Sequence, residues 1–341
     1  MKFLLLVTKP YSIGILEPVY QYLIKSSLGE VRWFLGKNVQ NQQLLGITLT
    51  TNEEVHEFNP DVVLVPGNVV PDFWPGIKVQ IFHGLGEEKK GHYRITGFFD
   101  LYCTPGPHMT QKINALEQKH KSFLVKETGW PKLDAISQYS SSEKAHESCQ
   151  FETNDPIILY APTFSPRYTS APALIPQIRS LIDKPLNWLI KFHDLMDKDL
   201  VKMAKKLECE NIKIVESNNI IPLMAESDIL IADTSSVTYE YLLFNKPIIT
   251  YKSTTRIDKG LNIDLPEEIF GAIVRSMEDP NEFSEARKSY LADLHPYTDG
   301  KSSERLIETI LKIIRENQLT GLKKKNPGWV RKRQARKQFS Q

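Results

Sequence analysis

Short apolar runs dense in Val, Ile and Leu recur along the chain, separated by longer stretches whose apolar positions fall at helical spacing. The runs at residues 2–7, 31–35, 61–65, 78–82, 101–104 and 122–125 predict a first set of strands. Residues 16–25 read as a helix with Pro18 tolerated in its first turn. A polar, Ser/Glu-rich stretch over 137–155, containing Ser140-Ser141-Ser142, predicts a helix and a linker. A second set of strands follows at 157–160, 187–191, 213–215, 228–232 and 247–250. The last helix is expected over 302–316, with Leu306, Ile307, Ile310, Leu311, Ile313 and Ile314 on one face and Ser302, Ser303 and Glu304 as capping residues. Strands alternating with helices imply parallel sheets covered on both faces. The fold class expected is α/β: two Rossmann-like domains, 1–145 and 155–316, facing a central cleft, followed by a tail over 317–341.

The chain has 341 residues, enough for two domains that each bury a core. With 41% apolar and 25% charged residues it falls outside the disordered and fibrous classes. No apolar run approaches the ~20 residues that span a bilayer. The opening run stops at Thr8-Lys9-Pro10 with no small-residue cleavage site, so it reads as a buried strand rather than a signal peptide, and a cytoplasmic location is expected. Cys103, Cys149 and Cys209 show no pairing or metal-ligand spacing, which fits a reducing compartment.

Charge alters this picture at one end. Residues 317–341 carry eight Lys or Arg and no acid, which leaves the rest of the chain near −6 against +2 for the whole. An acidic body with one basic tail suits a peripheral contact of residues 323–337 with anionic lipid, on the inner face of the cytoplasmic membrane, better than nucleic acid. A solvated tail is the alternative reading of the same residues.

In open parallel sheets ligands sit beyond the carboxyl ends of the strands, so residues just after strands are the candidates. Asp233-Thr234-Ser235-Ser236 follows a buried strand and precedes a helix expected from about Ser236. Helix-terminal N–H groups beside small hydroxyls suit a phosphate or pyrophosphate. An ordinary capped junction is the competing account. His83 ends another strand and is followed by Gly84, where the backbone can turn sharply. A histidine there can take a proton near neutral pH. Lys89, Lys90 and Arg94 downstream form an anion path or a solvated face. His193 follows a strand, two residues after Lys191, and can donate a hydrogen bond to a phosphate oxygen. Asp299-Gly300-Lys301-Ser302-Ser303, ahead of the last helix, is a second candidate phosphate site. No metal cluster, Walker loop or nicotinamide fingerprint is present in the sequence, so no metal or cofactor is expected.

Taken together, these stretches resemble the CDP-glycerol glycerophosphotransferase family. The resemblance runs through Ile81-Phe82-His83-Gly84, Gly129-Trp130-Pro131-Lys132-Leu133-Asp134, Leu159-Tyr160-Ala161-Pro162-Thr163-Phe164, Lys191-Phe192-His193, the 228–236 strand–turn with Asn245-Lys246-Pro247, and Asp299-Gly300-Lys301-Ser302-Ser303. It implies a GT-B fold and a CDP-polyol donor, used as substrate and held mainly by the second domain. An acceptor hydroxyl would attack the β-phosphorus and CMP would leave. By carry-over, His83 is the base. His193, Ser235, Ser236 and Ser302 hold the diphosphate, with Lys191, Asp233, Thr234, Asp299, Gly300, Lys301 and Ser303 around it. Gly84, Lys89, Lys90 and Arg94 lie on the acceptor side. The acceptor implied is a cell-surface glycan or teichoic-acid-like polymer, with lipid linkage left open and no nucleic acid expected. Leu85, Thr234 and Asp194 depart from the family pattern and leave the polyol, glycerol or ribitol, open. Two rivals remain at this stage: a glycosyltransferase or non-hydrogenating epimerase using a UDP-sugar on the same fold, and a non-catalytic membrane- or nucleic-acid-binding protein acting through the tail.

Overall fold

The computed structural model describes residues 1–39, 44–86, 93–139, 149–217 and 219–339. The chain forms two compact units: Met1–Ser137 with Asp293–Gln341, and Gln138–Ala292.

The first unit is built on a seven-stranded parallel sheet. Its strands are β1 (Lys2–Val7), β2 (Glu30–Leu35), β3 (Ile47–Leu49), β4 (Val62–Val65), β5 (Ile77–Gln80), β6 (Leu101–Thr104) and β7 (Leu124–Glu127), in the order β3-β2-β1-β4-β5-β6-β7. β4 and β6 are buried along their whole length, and β1 at every position after Lys2. Helices cover both faces of such a sheet, so its strands read as continuous apolar runs rather than alternating ones.

The second unit repeats the plan with β8 (Ile157–Tyr160), β9 (Asn187–Ile190), β10 (Ile212–Ile214), β11 (Ile229–Ala232), β12 (Ile248–Tyr251) and β13 (Leu261–Ile263), in the order β10-β9-β8-β11-β12-β13. The strand order reverses at β1/β4 in the first unit and at β8/β11 in the second, which marks the ligand end of each sheet.

Four expectations change. The helix over Ser302–Arg315 belongs to the first unit, not the second. Its apolar stripe of Leu306, Ile307, Ile310 and Ile313 packs on the helix Ile13–Lys25, which buries Ile15, Leu16, Val19 and Leu23. Pro18 lies inside that first helix rather than in its first turn, so it removes the bond to the Gly14 carbonyl. The three-residue edge strands β3 and β13 were not legible as apolar runs.

Nor is the basic tail a free segment. Its helix Trp329–Phe339 lies on the first unit, with Ala335 and Phe339 buried and Phe339 5.6 Å from the Trp74 ring. Lys325 pairs with Asp100 at 2.7 Å, and Lys332 reaches Asp72 at 3.4 Å. Trp329, Val330 and Arg333 remain exposed. No described helix is long and apolar enough to cross a membrane.

Candidate functional site

In the first unit the loops after β1, β4 and β5 meet around His83. β5 ends at Gln80, whose side-chain amide donates to the Gly67 carbonyl at 3.2 Å and so ties the loop after β4 to β5. Phe82 then turns into the left-handed region at φ +57°. His83, half-buried, places its Nδ1 3.3 Å from the Pro66 carbonyl oxygen. A carbonyl only accepts, so Nδ1 carries the proton and Nε2 is the basic nitrogen of the neutral ring. The Tyr11 ring, from the loop after β1, lies 5.9 Å away. Tyr11 is exposed as a whole, and partial burial of its hydroxyl raises that group's pKa.

The other acceptor-side residues divide. Gly84 is buried beside His83. Arg94 is exposed and lines a groove with Asn326, Trp329 and Arg331 of the C-terminal strap. Lys89 and Lys90 lie outside the described residues.

In the second unit the loops after β8 and β11 are tied by Asp233. Its carboxylate accepts from the Thr163 amide at 2.9 Å, and from the Ser170 amide and hydroxyl at 2.8 and 3.0 Å. Burial raises its pKa, and the hydrogen bonds from Ser170 and Thr163 oppose that. Asp233 is 1% exposed, so it is a scaffold for the two loops and not a ligand-facing group as expected. Thr234, Ser235 and Ser236 after it are half-buried. The α-helix that follows is only Val237–Glu240, continued by a 3-10 turn over Tyr241–Phe244. So short a helix has little dipole. The hydroxyls, rather than the helix terminus, are what this turn presents.

His193 lies just beyond β9 with its ring 4.4 Å from that of Phe164, which comes from the loop after β8. The Leu195 amide donates to His193 Nδ1 at 3.1 Å. This fixes the opposite tautomer from His83: Nε2 carries the proton and is a donor. Lys191 sends its ammonium to the Phe192 carbonyl at 2.6 Å, and burial lowers its pKa against the opposing charges of Asp194 and Glu216.

The third candidate segment is already occupied by the protein itself. Asp134 accepts from the Ser302 amide at 2.8 Å and the Ser303 amide at 2.7 Å, which caps the helix with a carboxylate. Ser302 and Ser303 are buried. Asp299 is held by Arg305 at 2.8 and 3.0 Å, and this pairing lowers its pKa. Gly300 makes the left-handed turn at φ +69°. Lys301 is the exposed N-cap residue. The Ser302 and Ser303 amides are therefore not open to a phosphate. Two of the sequence stretches, 129–134 and 299–305, are the two halves of one internal clasp.

The family model described as CDP-Glycerol:Poly(glycerophosphate) glycerophosphotransferase matches residues 81–312, more than half of the chain. The chain belongs to this family. As a member of the glycerophosphotransferases, it is 25% identical over 250 residues to a teichoic acid glycerol-phosphate transferase of Staphylococcus aureus (strain NCTC 8325 / PS 47), covering 63% of this chain and 61% of the relative. It is 26% identical over 212 residues to a teichoic acid glycerol-phosphate primase of Bacillus subtilis (strain 168), covering 57% of this chain and 54% of the relative. The matches thus span little more than half the length of these curated relatives.

Among solved structures, the wall teichoic acid polymerase TagF superposes with a TM-score of 0.70 at 16% identity, over 93% of this chain and 90% of that one. Staphylococcus aureus MnaA in complex with UDP gives a TM-score of 0.69 at 16% identity, over 95% and 99%. At such identities the likeness is one of fold, the GT-B type expected. The fold is shared with UDP-sugar epimerases, so it is the family match that separates this chain from the UDP-sugar reading. The tail-only binding reading finds no support in that match either.

Sequence reasoning missed three residues around these candidates. Tyr11 follows β1 at the switch point and was findable by that rule. Phe164 lies inside the 159–164 motif, which gave it no role. The Pro66 carbonyl acts through backbone geometry that no spacing encodes.

Proposed function

We propose that this chain transfers glycerol phosphate, or a related polyol phosphate, from a CDP-linked donor to a hydroxyl of a cell-surface glycan or teichoic-acid-like polymer, releasing CMP. The family match over residues 81–312 carries the reading, because it spans His83, His193 and the 233–236 turn. The acceptor oxygen forms a bond to the β-phosphorus of the donor. The bond from that phosphorus to the bridging oxygen breaks, and CMP leaves with the electron pair. The proton of the attacking hydroxyl passes to His83 Nε2, the nitrogen left basic by the contact of Nδ1 with Pro66. His193 offers Nε2–H, and Thr234, Ser235 and Ser236 offer hydroxyls, to the diphosphate oxygens. Lys191 adds positive charge near them. Donors fixed in advance at developing charge do most of the work in phosphoryl transfer.

Gly84 and Arg94 serve the acceptor side in this reading, with Lys89 and Lys90 between them in sequence. The protein works on the cytoplasmic side of the membrane. The exposed face of the strap, within residues 323–337, rests on anionic lipid, which suits a lipid-linked acceptor. Each Lys or Arg near such a surface contributes ~1 kcal/mol. Flotation with phosphatidylglycerol vesicles tests this part: wild type should bind and the double variant Lys324→Glu/Arg333→Glu should not. Equal binding to phosphatidylcholine vesicles would contradict it.

The transfer itself is tested by mass spectrometry of glycan acceptors incubated with CDP-glycerol or CDP-ribitol. A mass gain of one or more polyol phosphates is expected. Sugar addition from a UDP-sugar, with no gain from either CDP donor, would overturn the proposal.

A further inference from the structure

The loop after β12 leaves the same end of the second sheet as the 233–236 turn, because β11 and β12 are parallel neighbours. In their register Ala232 stands beside Thr250, and Thr234 and Lys252 each lie two residues further on. Neighbouring strands are ~4.8 Å apart, so the two residues leave the sheet side by side. They do so at the end where open parallel sheets bind their ligands.

Lys252 adopts the left-handed conformation, at φ +50°. A Cβ makes that conformation costly, and Gly or Asn ordinarily takes it. The surrounding turn holds it here. The Lys252 amide donates to the Ile263 carbonyl at 2.9 Å. The Asn262 side chain grips the residues on both sides: Oδ1 accepts from the Thr250 hydroxyl at 2.8 Å and the Ser253 amide at 2.9 Å, and Nδ2 donates to the Ser253 carbonyl at 3.2 Å. A glycine would satisfy this turn with less strain, so the backbone gives no reason for a lysine. Strain of this kind gathers at functional sites. The Lys252 side chain is exposed, with Nζ 5.2 Å from the centroid of the Tyr251 ring. Tyr251 packs on the core around Ile231 and Ile249, which lays the ammonium over the end of β12. Among the described residues no carboxylate pairs with it.

We propose that Lys252 is a donor-binding residue whose ammonium takes the diphosphate of the CDP-linked donor, beside the hydroxyls of Thr234, Ser235 and Ser236. The inference rests on the reading of that turn as the diphosphate seat. The hydroxyls bring no charge, and Lys191 has its ammonium on the Phe192 carbonyl. A diphosphate ester is a dianion, and the departing CMP gains further negative charge as the bond to its bridging oxygen breaks. A second cation held in advance at that place offsets the charge.

Lys252→Gly removes the charge and suits the left-handed turn, so its stability should equal or exceed that of wild type. Lys252→Asn, also neutral and tolerant of the turn, repeats the test should the glycine loosen the loop. Lys252→Arg keeps the charge. Calorimetry with CDP and NMR titration with cytidine separate the phosphates from the nucleoside. Lys252→Gly should weaken CDP binding about 10-fold and leave cytidine within about twofold, the share of a hydrogen bond to a charged group. Lys252→Arg should bind CDP within about threefold of wild type. Unchanged CDP affinity in Lys252→Gly, or CDP and cytidine weakened alike, would overturn the proposal. If the chain binds UDP and uridine in place of CDP and cytidine, the CDP-donor reading falls, and the same comparison across the variants still decides Lys252. Binding of neither CDP nor UDP by wild type would overturn both.

Discussion

His83 holds its Nδ1 3.3 Å from the carbonyl oxygen of Pro66, which as a pure acceptor favours the proton on that nitrogen in the neutral ring. At His193 an amide, Leu195 N–H, stands at Nδ1 instead, 3.1 Å away. One neighbour can only accept and the other only donate, so the two neutral rings carry their protons on opposite nitrogens. In the proposed transfer the same side chain thereby serves two tasks: proton acceptance at His83 and donation at His193.

For His83 the expected signature is loss of chemistry without loss of donor binding. His83→Ala should lower kcat by about 10²- to 10⁴-fold, the usual contribution of a general base, with little change in the KM for CDP-glycerol. His83→Gln should be no better, because an amide is a poor base. Recovery of activity in His83→Gln would point to a hydrogen-bonding role instead.

For His193 the ordering of variants reverses. A donor to the diphosphate can be replaced in part by another donor. His193→Gln should therefore retain at least about tenfold more kcat/KM than His193→Ala, in line with the strength of a hydrogen bond to a charged group. Equal activities for the two variants would remove the donor role. The test reads kcat/KM for CDP-glycerol at fixed acceptor.

Asp134 is expected to matter for stability and not for the donor. It caps the Ser302–Arg315 helix through two amides from a buried position. Asp134→Ala should lower the stability of the full chain by about 1–2 kcal/mol in urea unfolding, as loss of a good N-cap does. The KM for CDP-glycerol should stay the same in the folded fraction. A large rise in that KM with unchanged stability would restore the 299–303 segment as a phosphate site.

Lys78 gives a pH dependence with a definite sign. Its ammonium is buried against the Trp74 and Gly76 carbonyls. Burial first, and then the charge of Lys325 in the strap, push its pKa down from 10.5 to about 8. Below pH 8 both folded and unfolded chains hold the proton, so the full cost of the buried charge is carried. Between about pH 8 and 10.5 the folded chain has released it and the unfolded chain has not, so stability rises with pH. Relative to Lys78→Met, wild type should gain up to ~3 kcal/mol across that window. A stability difference that stays flat from pH 8 to 10.5 would contradict the assignment.

The sheets were legible in the sequence because strands buried on both faces must be continuously apolar, as 62–65 and 229–232 are. Loops after strands were legible for the same topological reason, which brought His83, His193 and the 233–236 turn into view. What could not be read was direction. Asp233 and Ser302 have the composition of a phosphate site, yet one ties two loops together and the other is capped by Asp134, 168 residues away in sequence. A carboxylate and a phosphate satisfy the same amides, and only the fold tells which one is there. The final helix had a clear apolar face, but the partner for that face, the helix Ile13–Lys25, lies at the far end of the chain.

Transfer of a polyol phosphate from a CDP-linked donor is read out by acceptor-dependent release of CMP. Wild type incubated with CDP-glycerol or CDP-ribitol and a glycan acceptor should release CMP in step with acceptor modification, and His83→Ala should release almost none while still folded. Turnover of a UDP-sugar, with no CMP formed from either CDP-polyol, would contradict the account.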